Sequence, residues 1–214
     1  MSFWRKHKEI WVILYVPVYL LWFFGLEQME PEHLFIVSNP LDQWIPFCEY
    51  FIVPYLLWFP YMLGGVLYFY IKERESFFPM VYSLMTGLTI CLIIYTVWPN
   101  GQELRLAEYP NQNLFTELVR MLQEFDTPTN VCPSIHVFAT VAVQIALCKS
   151  PFVYRHKTVY FSLLVLAVLI CLSTVFLKQH SATDLFCALV LNGIIYAIFY
   201  RKRLSPLDSF SVGE

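Results

Sequence analysis

Long apolar runs with almost no charged residues dominate this sequence and restrict what it can fold into. Of the 214 residues, 58% are hydrophobic and only 14% are charged, whereas about a quarter of the residues in a soluble domain are charged. A membrane-crossing helix needs about 20 mostly apolar residues to traverse roughly 30 Å of hydrocarbon. Backbone inside lipid must satisfy its own hydrogen bonds, so such runs form helices. The sequence therefore predicts an all-α, polytopic membrane protein.

Six runs have the apolar length expected of spans. They are Ile10–Leu26, Tyr50–Ile71, Phe78–Trp98, Ile135–Lys149, Thr158–Leu177 and Thr183–Tyr200. We expect a single domain over residues 1–203, a bundle of six transmembrane helices, followed by a loose tail at 204–214. Pro17, Pro54 and Pro60 lie inside predicted spans, where proline disrupts the helical hydrogen-bond ladder.

Clusters of basic residues indicate which loops face the cytoplasm. They are Arg5–Lys8, Lys72–Arg74, Lys149–Lys157 and Arg201–Arg203. All four fall on one side of a six-span chain, and the positive-inside rule assigns that side to the cytoplasm. We therefore expect a multi-pass protein of the cell membrane with both termini in the cytoplasm. The long loop at 99–133 is then expected on the opposite, non-cytoplasmic side.

Part of this long loop has the spacing of an amphipathic helix. Its apolar residues fall on one helical face: Leu114, Leu118, Met121, Leu122 and Phe125. We expect Asn113–Phe125 to form a short helix that lies on the membrane or caps the bundle.

The cysteines and the net charge exclude few alternatives. The six cysteines are Cys48, Cys91, Cys132, Cys148, Cys171 and Cys187, and no two of them form a CxxC pair. We interpret them as small apolar packing residues rather than a disulfide framework or a zinc site. A bridge between Cys48 and Cys132 stays open, because both can lie on the same side of the membrane. The net charge of −2 gives no indication of nucleic acid as a partner.

Two histidines stand at the edges of apolar runs, where a span would meet water. His136 begins the fourth predicted span, and His180 follows the fifth and precedes Asp184 by four residues. Topology places all three at the non-cytoplasmic face, and ionisable groups at such positions are functional candidates. His180 can act as a nucleophile whose tautomer Asp184 fixes, and His136 can carry protons. These are the components of a hydrolase with a covalent intermediate.

Other residues at the same face suit an anionic phosphate. Arg105 and Lys178 supply positive charge. Ser134, near the start of a predicted helix, offers a hydroxyl, and the helix start offers N–H groups. The combination indicates phosphoryl transfer, in which positioning and electrostatics provide most of the catalysis.

The order of these residues resembles a known family. Pro-Ser-x-His at Pro133–His136, followed by Ser173, then His180 and Asp184, is similar to the second and third motifs of the type 2 phosphatidic acid phosphatase (lipid phosphate phosphatase) superfamily. The resemblance covers roughly residues 98–188. It implies a core of six helices and an active site that works without a metal or other cofactor.

The resemblance also implies a role for each motif residue. By this likeness His180 is the nucleophile, Asp184 is its partner and His136 is the acid and base. Ser134 and Ser173 are implied to bind the substrate phosphate.

The chain departs from the family pattern at several positions. In the register of the first motif, Lys is replaced by Trp98 and only Arg105 remains. The usual Arg after the third-motif serine is Thr174, and the usual Gly of the second motif is Ile135. Two of the family's cations are therefore missing, and Lys178 is the residue placed to substitute for one of them.

Simpler interpretations exist for single residues. Ser134 can serve only as a helix cap, and Ser181 with Asp184 matches a capping box. His180, Asp184 and His136 can also be interpreted as a metal site, although the nearby cations would repel a metal. None of these interpretations explains why all the residues fall at one membrane face.

The sequence thus predicts an integral membrane phosphatase. Its expected partners are the lipid bilayer and a lipid phosphate monoester or diphosphate; the oligomeric state is not indicated. One alternative is a lipid headgroup phosphotransferase of the inositol phosphorylceramide or sphingomyelin synthase kind. Another is a non-catalytic protein that binds or transports a lipid phosphate.

Overall fold

The computed structural model describes residues 8–200, and most of them are helical. The elements are α1 (Lys8–Glu27), β1 (Phe35–Ile36), two 3₁₀ helices (Pro40–Gln43 and Glu49–Phe51), α2 (Ile52–Leu56), α3 (Trp58–Lys72), α4 (Arg74–Val97), β2 (Asn100–Gly101), α5 (Leu114–Phe125), α6 (Ile135–Cys148), α7 (Pro151–Arg155), α8 (Lys157–Phe176) and α9 (Ala182–Phe199). The expected tail, the last basic cluster and most of the first lie outside the described residues.

Within the described part of the chain, five helical segments are long and apolar enough to cross a membrane. They are Glu9–Glu27, Glu49–Lys72, Arg74–Val97, Lys157–Phe176 and Ala182–Phe199. The prediction of an all-α protein is confirmed to the extent that the described residues are mostly helical and include helices with the length and apolar composition of spans. The remaining apolar run forms α6, which has only 14 residues. That length is below the roughly 20 residues that an isolated span requires.

The position of α6 explains why it can be short. It packs against α3, α4, α8 and α9, and ten of its 14 residues are buried. Non-helical backbone at membrane depth is tolerated where protein surrounds it. The segment before α6, from Val131 to Ser134, is buried in this way. α6 is therefore the central helix of the bundle, and its first turn carries His136.

Two glycines let neighbouring helices approach α6 closely. A Cβ atom at Gly87 in α4 would overlap the ring of Phe138. A Cβ atom at Gly65 in α3 would lie 2.6 Å from Cγ1 of Val143. The helices can pack at these distances only because glycine has no side chain.

The second predicted span is interrupted at Leu57, between α2 and α3. Pro60 lies four residues after Leu56 and has no N–H to donate to its carbonyl, which breaks the ladder there. Helical bonding resumes when the Tyr61 N–H donates to the Leu57 carbonyl. Pro17, by contrast, lies within α1 without ending it.

The loops at the His136 end of α6 form a folded cap. β1 pairs in parallel with β2, with Phe35 opposite Asn100. α5 packs against the Glu49–Phe51 helix and α2, and its Val119 lies in one apolar cluster with Leu177 at the end of α8. Three segments therefore meet at one end of the bundle: the first long loop (residues 28–51), the 99–133 loop and the turn after α8.

Candidate functional site

His180 lies in the turn between α8 and α9, where two acceptors fix its ring. Its Nδ1 atom is 3.1 Å from the carbonyl oxygen of Val131 and 3.3 Å from Oδ2 of Asp184. Because both neighbours are acceptors, Nδ1 carries the proton. Nε2 of the neutral ring therefore carries a free lone pair, and the structure gives it no hydrogen-bond partner among residues 8–200. His180 is only 7% exposed.

Asp184 is fixed by the start of α9. Its Oδ2 accepts from the backbone N–H of Ser181 at 2.9 Å, which completes a capping box, and it faces Nδ1 of His180. The cap and the partner of the histidine are thus the same carboxylate. Its Oδ1 is buried and has no hydrogen-bond partner within the described residues. Burial, and next the Asp184 charge, raise the pKa of the nearby Cys132 thiol.

His136 is held by contacts with tilted aromatic rings rather than by hydrogen bonds. Its ring centroid lies 4.7 Å from that of Tyr55 and 4.4 Å from that of Trp58. It also lies 6.0 Å from the ring of His180. Within residues 8–200 neither ring nitrogen of His136 has a hydrogen-bond partner. The structure therefore brings the two predicted histidines together and leaves the nitrogens of His136 available.

Asn100 builds the wall against which His180 rests. Its side-chain oxygen accepts from the backbone N–H groups of Val131 and Cys132, at 3.0 and 2.8 Å. This fixes the Val131 carbonyl that accepts from His180. Sequence analysis missed Asn100, and no motif signal marked it. Its position two residues after a predicted span was the only hint.

Arg105 lies beside the histidines, but most of its donors are already used. Nη1 donates to the carbonyl of Gln123, and Nη2 donates to the carbonyl of Asp126 and to Oε1 of Gln179, the last at 2.8 Å. Its Nε is buried and has no partner in the described structure. Burial lowers the pKa of the guanidinium, and Asp126 opposes this shift. Of its five N–H groups, one on Nη1 and the one on Nε are therefore left for a ligand.

Lys178 directs its charge away from the histidines. Its Nζ donates to the carbonyls of Asp42 and Ile45 at 2.8 and 2.5 Å. Burial lowers the pKa of its ammonium, and the Asp42 charge opposes this shift. Its φ of 57° is the left-handed conformation that usually belongs to glycine after a helix. In this structure Lys178 anchors the turn of His180 to the first long loop.

Asp42 is a second residue that sequence analysis missed. Its carboxylate accepts from the Ser181 hydroxyl at 2.7 Å, the Ala182 N–H at 2.8 Å and the Asn39 N–H at 2.8 Å. It therefore holds the two residues that follow His180. A single acid in a loop, 138 positions before the histidine (180 − 42), carries no recognisable sequence signal.

The two predicted phosphate-binding serines have different positions. Ser134 caps α6, where its Oγ accepts from the Val137 N–H, and its own N–H donates to the Asp184 carbonyl. It is thus next to the site but fully buried. The Ser173 hydroxyl is directed into its own helix and donates to the Ile170 carbonyl at 2.6 Å. The structure brings Ser134 to the site and leaves the hydroxyl of Ser173 engaged elsewhere.

The cysteines and the acids give no sign of a cross-link or metal centre. All six cysteines are free, so the bridge left open between Cys48 and Cys132 is not formed. In the part of the chain that the structure describes, no group of three or more His, Cys, Asp or Glu side chains is placed to hold a metal ion.

Six residues, including both histidines, form a closed ring of contacts. Successive contacts link His136 to Tyr55, Tyr55 to Asp126, Asp126 to Arg105, Arg105 to Gln179 and, through the chain, Gln179 to His180. The ring is completed by the contact between the two histidines.

Comparison of the chain with models of protein families, curated proteins and solved structures found no match. The functional argument therefore rests on the geometry of this site.

Proposed function

We propose that this chain is an integral membrane lipid phosphatase. It hydrolyses a lipid phosphate monoester or diphosphate through a phosphohistidine on His180, as in the type 2 phosphatidic acid phosphatase superfamily that its motifs resemble. One observation carries the proposal: the hydrogen bonds at Nδ1 of His180 leave Nε2 as a free lone pair beside a second histidine.

The arrangement supports distinct roles for the three polar residues. Asp184 stabilises the positive charge that develops on His180 when Nε2 attacks phosphorus. His136 protonates the leaving alkoxide and then activates the water that releases phosphate. A phosphoryl group entering between the rings requires them to separate. The His136 ring, which is held by aromatic contacts without a hydrogen bond among the described residues, can move, whereas His180 is fixed by its two hydrogen bonds.

The proposal includes six membrane crossings. The five long apolar helices support five of them, and α6 is the sixth, shortened because protein surrounds it. By the positive-inside rule, Lys72–Arg74 and Lys149–Lys157 face the cytoplasm. The site then opens on the non-cytoplasmic side, near the level of lipid headgroups. A substrate with its tail in the bilayer can reach it there.

A second candidate follows from the thin phosphate clamp. Lys178 and Ser173 are hydrogen-bonded elsewhere, so fewer donors face the histidines than the sequence predicted. A site of this kind also suits a phosphotransferase, in which a lipid alcohol replaces water in the second step. It equally suits a protein that binds a lipid phosphate without cleaving it.

Phosphate release by the purified full chain tests the proposal. The protein in detergent, with a chelator present, is offered phosphatidic acid, phosphatidylglycerol phosphate and undecaprenyl diphosphate. We expect inorganic phosphate from at least one substrate and a loss of about a thousandfold or more in His180→Ala, since removing a nucleophile has effects of this size. His156→Ala, in the loop before α8, is the matched histidine control and should retain full activity.

The other results identify the alternatives. Transfer of phosphate to an added lipid alcohol would identify the protein as a phosphotransferase instead of a phosphatase. Binding of the lipids without any turnover would identify it as a lipid-phosphate binding protein. Release that survives His180→Ala would contradict the proposed nucleophile.

A further inference from the structure

Gln179 presents an unused amide N–H₂ group at the edge of the ring of six contacting residues that includes both histidines. Its Oε1 accepts from Nη2 of Arg105 at 2.8 Å. Because this bond fixes which end of the amide faces the guanidinium, the N–H₂ end points away from Arg105. Nε2 is buried, and none of the described residues accepts from it. Gln179 itself is only 3% exposed.

Unused buried donors are concentrated around this site. Nε2 of Gln179, Nε of Arg105, Nε2 of Gln123 and Nε1 of Trp58 are all buried without an acceptor in the described structure. Arg105 bonds to Gln179 and to the backbone of Gln123, and the Trp58 ring contacts the ring of His136. An unpaired buried donor destabilises the folded state, so folded proteins rarely keep several together. A shared acceptor would explain their retention.

The chemistry of these donors specifies the acceptor. All four atoms are N–H donors, and one belongs to a guanidinium, so the partner is an oxygen-rich anion. Gln179 directly precedes His180, which places its amide next to the proposed nucleophile. A phosphoryl group bound at Nε2 of His180 carries such oxygens.

We propose that Gln179 is a phosphate-binding residue, and that its amide N–H₂ and Nε of Arg105 together hold the phosphoryl oxygens of the substrate. The inference rests on the proposed function and deepens it, because it assigns the role of the missing cations to an uncharged amide. Arg105 has two roles, since Nη2 orients the amide and Nε contacts the phosphate.

The chain contains its own control for this interaction. Arg120 donates to Oε1 of Gln112 at 3.1 Å on the exposed surface, which makes a second Arg–Gln pair outside the site. Gln179→Glu and Gln112→Glu both convert an Arg–Gln pair into an Arg–Glu pair. Only the first removes an N–H₂ donor from the site and adds negative charge there.

Binding of inorganic phosphate to the full chain in detergent, measured by titration calorimetry, tests the proposal without requiring turnover. We expect Gln179→Glu to weaken binding by at least about tenfold, because a lost hydrogen bond to a charged group has an effect of this size. Gln112→Glu should bind as wild type. Gln179→Met, similar in size and uncharged, should also weaken binding, and thermal unfolding verifies that each variant is folded.

The outcomes separate this inference from the proposed function. Weakened binding in both Gln179 variants without lipid hydrolysis by the wild type would support the amide and overturn the phosphatase. Lipid hydrolysis by the wild type with unchanged phosphate affinity in folded Gln179→Met would support the phosphatase and overturn the role of Gln179. Equal weakening by Gln112→Glu would also overturn it.

Discussion

The ammonium group of Lys178 donates a hydrogen bond to the backbone carbonyl of Asp42, 2.8 Å away, and the Asp42 carboxylate holds the residues that follow His180. The same short loop segment therefore fixes the turn on both sides of the histidine. A cation that the sequence placed to substitute for a missing phosphate ligand thus has a structural partner in this fold.

Replacing Lys178 separates the structural role from phosphate binding. Lys178→Met removes two charge-assisted hydrogen bonds and keeps the left-handed backbone strain, so we expect a loss of about 2–3 kcal/mol in unfolding free energy. Lys178→Gly should lose about 1 kcal/mol less, because glycine relieves the left-handed conformation. Thermal unfolding in detergent measures both. Unchanged stability in Lys178→Met, accompanied by weaker phosphate binding, would contradict this structural role and indicate that Lys178 binds phosphate.

Replacing Asp42 should impair the site from outside it. Asp42→Ala removes the acceptor for the Ser181 hydroxyl and the Ala182 N–H, so the turn loses its register against the loop. We expect a loss of roughly 1–3 kcal/mol in unfolding free energy, together with slower phosphate release. Glu49→Ala is the control, because this buried acid accepts from Asn111 and Asn113 rather than from the residues that follow His180. It should destabilise the cap without the same loss of rate per folded molecule.

The close approach of α4 to α6 depends on the absence of a side chain at Gly87. Gly87→Ala would place a Cβ atom inside the ring of Phe138, two residues after His136. We expect a cost of about 1–3 kcal/mol, as for other overpacked cores. Gly193→Ala is the matched control, because its Cβ would meet nothing within 4 Å. It should be neutral or stabilise α9 by up to about 1 kcal/mol, and unfolding of the two variants side by side tests the difference.

The structure and the motif pattern give the Ser173 hydroxyl different roles. Its hydroxyl bonds to the Ile170 carbonyl inside α8, so Ser173→Ala should change phosphate affinity by less than about twofold. Titration with inorganic phosphate measures this. A loss of tenfold or more would mean that the serine rotates towards the substrate and that the bond inside the helix is broken on binding.

The long apolar helices of the fold were predictable from the sequence. Apolar length located five long helices to within a few residues, because lipid imposes helical structure on such runs. The break at Leu57 was harder to place, because Pro54 and Pro60 both lie in that run and either can interrupt it. The short α6 was not distinguished from a full span, because its burial depends on neighbours that are distant in sequence.

The site was predictable where residues are adjacent in sequence or share an element. His180 and Asp184 lie within one turn and the first turn of α9, and their pairing followed from their spacing. Asn100 and Asp42 contribute through loops whose paths depend on tertiary contacts, so no spacing rule reveals them. The direction of the Lys178 side chain was likewise hidden, because it follows from the position of the Asp42 carbonyl.

The central claim is that Nε2 of His180 becomes covalently bonded to the substrate phosphorus. The most direct measurement is incubation of the full chain with a lipid labelled on its phosphate with ³²P, quenched with denaturant at alkaline pH, followed by mapping of label retained on the protein under alkaline conditions. The account predicts label on the peptide that contains His180 and none in His180→Ala. Turnover of the lipid with label on another residue, or with no label under any quench time, would contradict it.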